Sequence, residues 1–163
     1  MLAPAAGMSD IQTTTQTLSA TVSPSGTVSV PASVNLTGAN TRFGDFAGSL
    51  LVSYWARTSD GGSSAITIQA SSEFSPAGGP TAASVTYGCS GATLGTNCSG
   101  FHALSTTVQT PVVSLPTGTC TGGGGACSSQ DPNTVLLQFA MPSRPQYKTG
   151  TYSAQITMTI STI

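Results

Sequence analysis

Apolar residues along this chain recur at every second position, and a helical spacing of three or four is nearly absent. The pattern is cleanest near the C-terminus, where Tyr152, Ala154, Ile156, Met158 and Ile160 alternate with Thr151, Ser153, Gln155, Thr157 and Thr159. Side chains of a strand point to opposite faces in turn, so residues 149–160 are predicted to form a strand with one buried and one wet face. A similar rhythm runs near the N-terminus. Leu18, Ala20 and Val22 share one face, Ser23-Pro24-Ser25-Gly26 reads as a turn, and Val28, Val30, Ala32, Val34 and Leu36 share the next face. Pro31 cannot donate to a ladder, so this second strand is predicted at an edge or broken there.

Further along, Leu50–Arg57 is the densest apolar run and predicts a central strand buried on both faces, ended by Asp60-Gly61-Gly62. Ala65–Ala70 is expected to pair with it as a hairpin. Ser84–Tyr87, one or two strands within 101–115 interrupted at Pro111, and a buried strand Val135–Met141 complete the set. About eight strands with frequent turn signals predict an all-β fold, an antiparallel immunoglobulin-like β-sandwich, with a jelly roll or open barrel as the alternative. No internal repeat and no second domain is visible. The expected organisation is an N-terminal extension over 1–22 and a sandwich over 23–163.

The chain's 163 residues are enough for one sizeable core. Only 6% of them are charged, against a usual value of about 25%. The net charge of −1 rests on four Lys and Arg, so no basic patch can form to meet nucleic acid or an anionic membrane. Low charge gives little self-repulsion and suits a protein that packs against copies of itself. Ser, Thr, Asn, Gln and Gly carry the polarity instead, as on secreted surface proteins. No stretch is long enough to span a membrane as a helix. Met1–Met8 reads as the tail of a secretion signal or an added start, without a full apolar region.

Four cysteines form two local groups, Cys89 with Cys98 and Cys120 with Cys127. Nearest-neighbour disulfides are the simplest expectation, although four cysteines allow three connectivities. Zinc ligands come in shorter pairs than these, so an oxidising compartment is favoured over a metal site. The Gly122–Gly125 run inside the second group lacks the Gly-Lys-Ser/Thr ending of a phosphate loop.

Candidate chemistry is sparse. His102 is the single histidine, has no G-x-S-x-G elbow to serve, and reads as a surface or loop residue. The acids Asp10, Asp45, Asp60, Glu73 and Asp131 are scattered over turn-like positions, with no spacing that suggests a catalytic pair. No enzyme and no cofactor is expected. Tyr54 and Trp55 are adjacent, so only one of them can join an aromatic sugar platform, and Trp55 is expected in the core. Asn35-Leu36-Thr37 and Asn97-Cys98-Ser99 match the glycosylation acceptor pattern. Lys148 is the single lysine.

The ending Lys148–Ile160, a Gly-Thr-Tyr lead followed by alternating Thr and apolar residues, resembles the C-terminal strand of chaperone–usher pilins and spore-coat-U-type fimbrial subunits. The resemblance covers about fifteen residues, and the low charge, all-β pattern and Thr-rich N-terminal segment extend it. It implies an incomplete sandwich whose gap is filled by an extension of the next subunit, bound by main-chain hydrogen bonds and by alternate side chains in pockets. Leu18, Ala20 and Val22 would then be the inserted side chains. Tyr152, Ala154, Ile156, Met158 and Ile160 would line the acceptor groove or core. The implied function is a structural subunit of an extracellular filament or pilus. Its partners would be further copies of itself, an assembly chaperone or usher, and surface glycans. Many such pilins carry a disulfide near the start of the fold, whereas here every cysteine lies in the middle or late loops. Two other readings stand beside this one. The first keeps residues 11–22 at home, in a hairpin with Val28–Leu36. The second is a monomeric secreted carbohydrate-binding or adhesin module.

Overall fold

The computed structural model of the chain describes residues 16–38, 43–59, 61–119 and 132–162. They form a sandwich of two antiparallel sheets with no α-helix, a single 3-10 turn at Ala82–Ser84 being the sole helical element among them. The strands are β1 (Ser25–Ser29), β2 (Thr37–Gly38), β3 (Phe46–Arg57), β4 (Ser64–Ala70), β5 (Thr86–Ser90), β6 (Thr96–Asn97), β7 (Phe101–Ala103), β8 (Thr110–Leu115), β9 (Asn133–Met141) and β10 (Ile156–Thr162). One sheet runs β1-β3-β9-β5-β7, with β2 also on β3; the other runs β10-β4-β8-β6.

The core lies between the sheets and is filled by alternate residues. Leu50, Val52, Tyr54 and Ala56 of β3 and Val135, Leu137, Phe139 and Met141 of β9 face Ile66, Ile68 and Ala70 of β4 and Val113 and Leu115 of β8. Two tyrosines anchor their hydroxyls inside. The Tyr54 hydroxyl donates to the Leu94 carbonyl. The Tyr87 hydroxyl lies 2.8 Å from both Thr110 Oγ1 and Pro111 O, joining one sheet to the other. A buried phenol without such a partner would cost about 1–3 kcal/mol.

Several sequence expectations change here. Residues 50–57 are not buried on both faces: Leu51 is 51% exposed, opposite Leu136 on the outer face, because β3 lies in a sheet covered on one side only. Ala65–Ala70 does not pair with it. β3 hydrogen-bonds to β1 and β9, and the connection through Gly61 carries the chain across to the second sheet. The run 28–36 is broken at Pro31, as expected: Val28 lies in the edge strand β1, which ends at Ser29, and pairing resumes at Thr37. Ser25 and Gly26 sit in β1, not in a turn, and pair with Arg57 and Ala56, so a hairpin of 18–22 with 28–36 does not form. His102 lies not in a loop but at the surface, half-buried in the edge strand β7, with its ring 5.7 Å from that of Tyr87. Pro111 lies inside β8, where the register with β4 shifts between Ile66 and Thr67. That bulge sets consecutive Val112 and Val113 both inside.

Candidate functional site

The two sheets end side by side at β1 and β10. β10 is an edge strand, paired on one side with β4 and on the other with none among the described residues. β1 is the facing edge of the other sheet. The two approach closely at Gly26, where an added Cβ would stand 2.9 Å from Thr162 Cγ2 and 3.0 Å from Ile160 Cδ1. Glycine at this position is what allows the side chains of β10 to cross so near the β1 backbone.

The apolar residues on this side are covered only in part. Val28 of β1, Val34 and Leu36 of the following loop, Phe46 at the start of β3, and Ile156, Met158 and Ile160 of β10 are all half-buried and packed against the core. Leu36 reaches inward because β3 has no side chain at Gly48, where a Cβ would lie 2.8 Å from Leu36 Cδ2 and 2.6 Å from the Asn35 carbonyl. Half-buried apolar residues thus line β1, the loop after it and β10, whose second edge has no partner strand among the described residues.

The predicted lining residues divide into two groups. Ile156, Met158 and Ile160 lie in β10 and point inward, while Thr157 and Ser161 on the alternate positions are exposed. Tyr152 and Ala154 precede the strand, which begins at Ile156 and not at 149. A bridge between Ser153 and Ser75 holds that stretch, and the Tyr152 ring lies over Gly79, with its hydroxyl donating to Lys148 O at 2.7 Å. Of the predicted inserted segment, Leu18, Ala20 and Val22 lie in a stretch, 16–24, that has no regular secondary structure and is exposed throughout. Leu18 is 99% and Val22 70% exposed, so neither packs on its own subunit. The sequence pattern puts Val28, Val34 and Leu36 on one apolar face but does not join that face to β10, and it reads Gly26 as part of a turn. The signal for that join was Gly26 and Gly48 at inward positions of otherwise alternating runs.

Cys89 and Cys98 form a disulfide with a Cα–Cα distance of 5.4 Å. It ties β5 to the segment after β6, and Asn97 Nδ2 donates to the carbonyls of Cys89 and Cys98 at 3.2 Å. Cys120 and Cys127 lie outside the described residues. Tyr54 is fully buried and can join no aromatic platform, and Trp55 is not in the core but half-buried on the outer face of its sheet. The indole N–H of Trp55 is shielded from solvent without a hydrogen-bond partner. Among the described residues no cluster of three His, Cys, Asp or Glu could hold a metal ion, and no helix is long and apolar enough to cross a membrane.

No family model matches this sequence, and no curated protein or solved structure does either.

Proposed function

We propose that the protein is a structural subunit of an extracellular filament or pilus, polymerising non-covalently when a strand of one subunit completes the sandwich of the next. The observation that carries this reading is the open edge of β10 beside a half-covered apolar seam, in a chain whose residues 16–24 lie fully exposed. An open edge presents unpaired N–H and C=O groups to an incoming strand. Extended chain added there hydrogen-bonds along its length, and its alternate side chains enter the seam. Leu18, Ala20 and Val22 have the period-two spacing such an insertion requires. Burying a Leu or Val side chain contributes about 1.5–3 kcal/mol each, before the cost of ordering the segment. The same edge would need shielding before assembly, which is the work of a chaperone or usher.

Negative-stain electron microscopy of the purified native protein, beside a variant lacking residues 1–22, tests the reading. Filaments from the full chain and single particles from the truncated one are expected. Filaments from the truncated chain would rule out the N-terminal donor. Single particles from both, at assembly concentrations, would rule out the polymer.

A further inference from the structure

Away from the seam, the loop from β9 to β10 and the loop from β4 to β5 are laced together. Lys148 N donates to Gly78 O at 3.1 Å, Ser75 and Ser153 exchange main-chain hydrogen bonds, and the Tyr152 ring closes on Gly79. Glu73 Oε2 accepts from Ala82 N at 2.7 Å and holds the 3-10 turn in place. Between the two loops lies a cleft of about 380 Å³ lined by Thr81, Ser84, Arg144, Gln146 and Tyr147 among others. That volume falls within the range of small-ligand sites, roughly 300–1,000 Å³.

The lining has a definite chemistry. Arg144-Pro145-Gln146-Tyr147 is a β-turn closed by Tyr147 N donating to Arg144 O at 3.0 Å, with Pro145 fixing its second position. It brings a guanidinium, an amide and a phenol ring to one wall. The side chains of Arg144, Gln146 and Tyr147 make no hydrogen bond or ion pair among the described residues. On the opposite wall the Ser84 hydroxyl donates to Thr81 O at 2.6 Å, which leaves its oxygen free to accept. No carboxylate lines the cleft. In a chain with four cationic side chains, an exposed guanidinium without an acidic partner, beside an open, hydroxyl-lined cleft, is an unspent binding group.

We propose that this cleft is a binding site for a carboxylated sugar. The carboxylate would sit on Arg144, whose planar fork matches it bidentately. The pyranose would lie against the Tyr147 ring, and its hydroxyls would exchange hydrogen bonds with Gln146, Thr81 and Ser84. The site is independent of the polymerisation reading, since none of its residues belongs to β1 or β10. Carboxylated pyranoses have two natural sources: uronic acids of polysaccharides and sialic acids capping glycoproteins and glycolipids.

Calorimetric titration of the purified chain with methyl galacturonoside, N-acetylneuraminic acid and methyl galactoside tests it. Saturable binding of at least one acidic sugar is expected, at least about tenfold tighter than the neutral one, the gain of a charge-assisted pair. Arg144→Gln should abolish that preference, and Tyr147→Ala should weaken acidic and neutral sugars alike, both with unchanged melting temperature. Binding of galacturonoside alone identifies a polysaccharide target, of sialic acid alone a capped glycan, and of both a site that reads the carboxylate. No saturable binding of either acid by the unmodified chain at about 10 mM, equal affinity for the neutral sugar, or an Arg144→Gln variant that binds as tightly as the parent would each overturn the proposal.

Discussion

β4 and β10 are hydrogen-bonded neighbours with the same alternation of apolar and hydroxyl residues, yet they live in different environments. Their inward residues face one another directly, Ile66 with Ile160, Ile68 with Met158 and Ala70 with Ile156. On β4 these three side chains are sealed, at 0% exposure; on β10 the row beside them is only half-covered. The difference comes from what lies beyond each strand. β4 has β8 on its far side, whereas β10 has an open edge and only the short β1 opposite. Alternation therefore says which face a residue takes, and the neighbouring strands decide how completely that face is covered.

Substitutions on the two strands sharpen this contrast. Ile68→Ala leaves a cavity in a closed core and should cost the isolated subunit about 3 kcal/mol in a urea melt. Replacing both Cys89 and Cys98 by Ala frees a short loop on the closed side and should cost about 2–3 kcal/mol, read the same way. Met158→Ala, one strand from Ile68, removes a side chain already half in water, so the isolated subunit should lose only about 1 kcal/mol. If the seam is an acceptor, however, the same change should slow filament growth strongly. A Met158→Ala loss as large as that of Ile68→Ala would show the seam to be a finished core.

The smallest expected effect concerns pH, and it belongs to the closed side. Burial raises the Tyr54 and Tyr87 phenols above their ordinary value of 10.0, partly offset by their hydrogen bonds to Leu94 and Thr110. The unfolded chain would lose these protons at about pH 10 while the folded one keeps them. Their contribution is thus complete below pH 10 and declines as pH rises from there through the higher folded values. Equilibrium melts from pH 8 to 11 should show a plateau and then a fall, and Tyr54→Phe with Tyr87→Phe should flatten the fall.

Much of the candidate site was legible as period. Ile156, Met158 and Ile160 were placed on one inward face by alternation alone, and Leu18, Ala20 and Val22 share the same rhythm. Where reading failed, the cause was non-local. Leu51 sits in an unbroken apolar run but faces outward, because whether a second layer covers that face is decided by other strands. Ala65–Ala70 follows β3 closely, and a local reading pairs them; the chain instead crosses to the other sheet, where β4 lies between β10 and β8 while β3 lies between β1 and β9.

The sequence by itself determined the class of structure: strands, because the apolar period is two, and a weakly charged surface, because so few charged side chains exist. Tertiary structure alone decided which strands neighbour one another, and so which alternating strand is sealed and which lies open. It also brought residues 79–84 beside residues 144–147 to form the cleft. Strand pairing and cleft formation join segments roughly 60 to 100 positions apart, and their energy depends on the surface those segments bury together, a quantity that no local stretch of sequence contains.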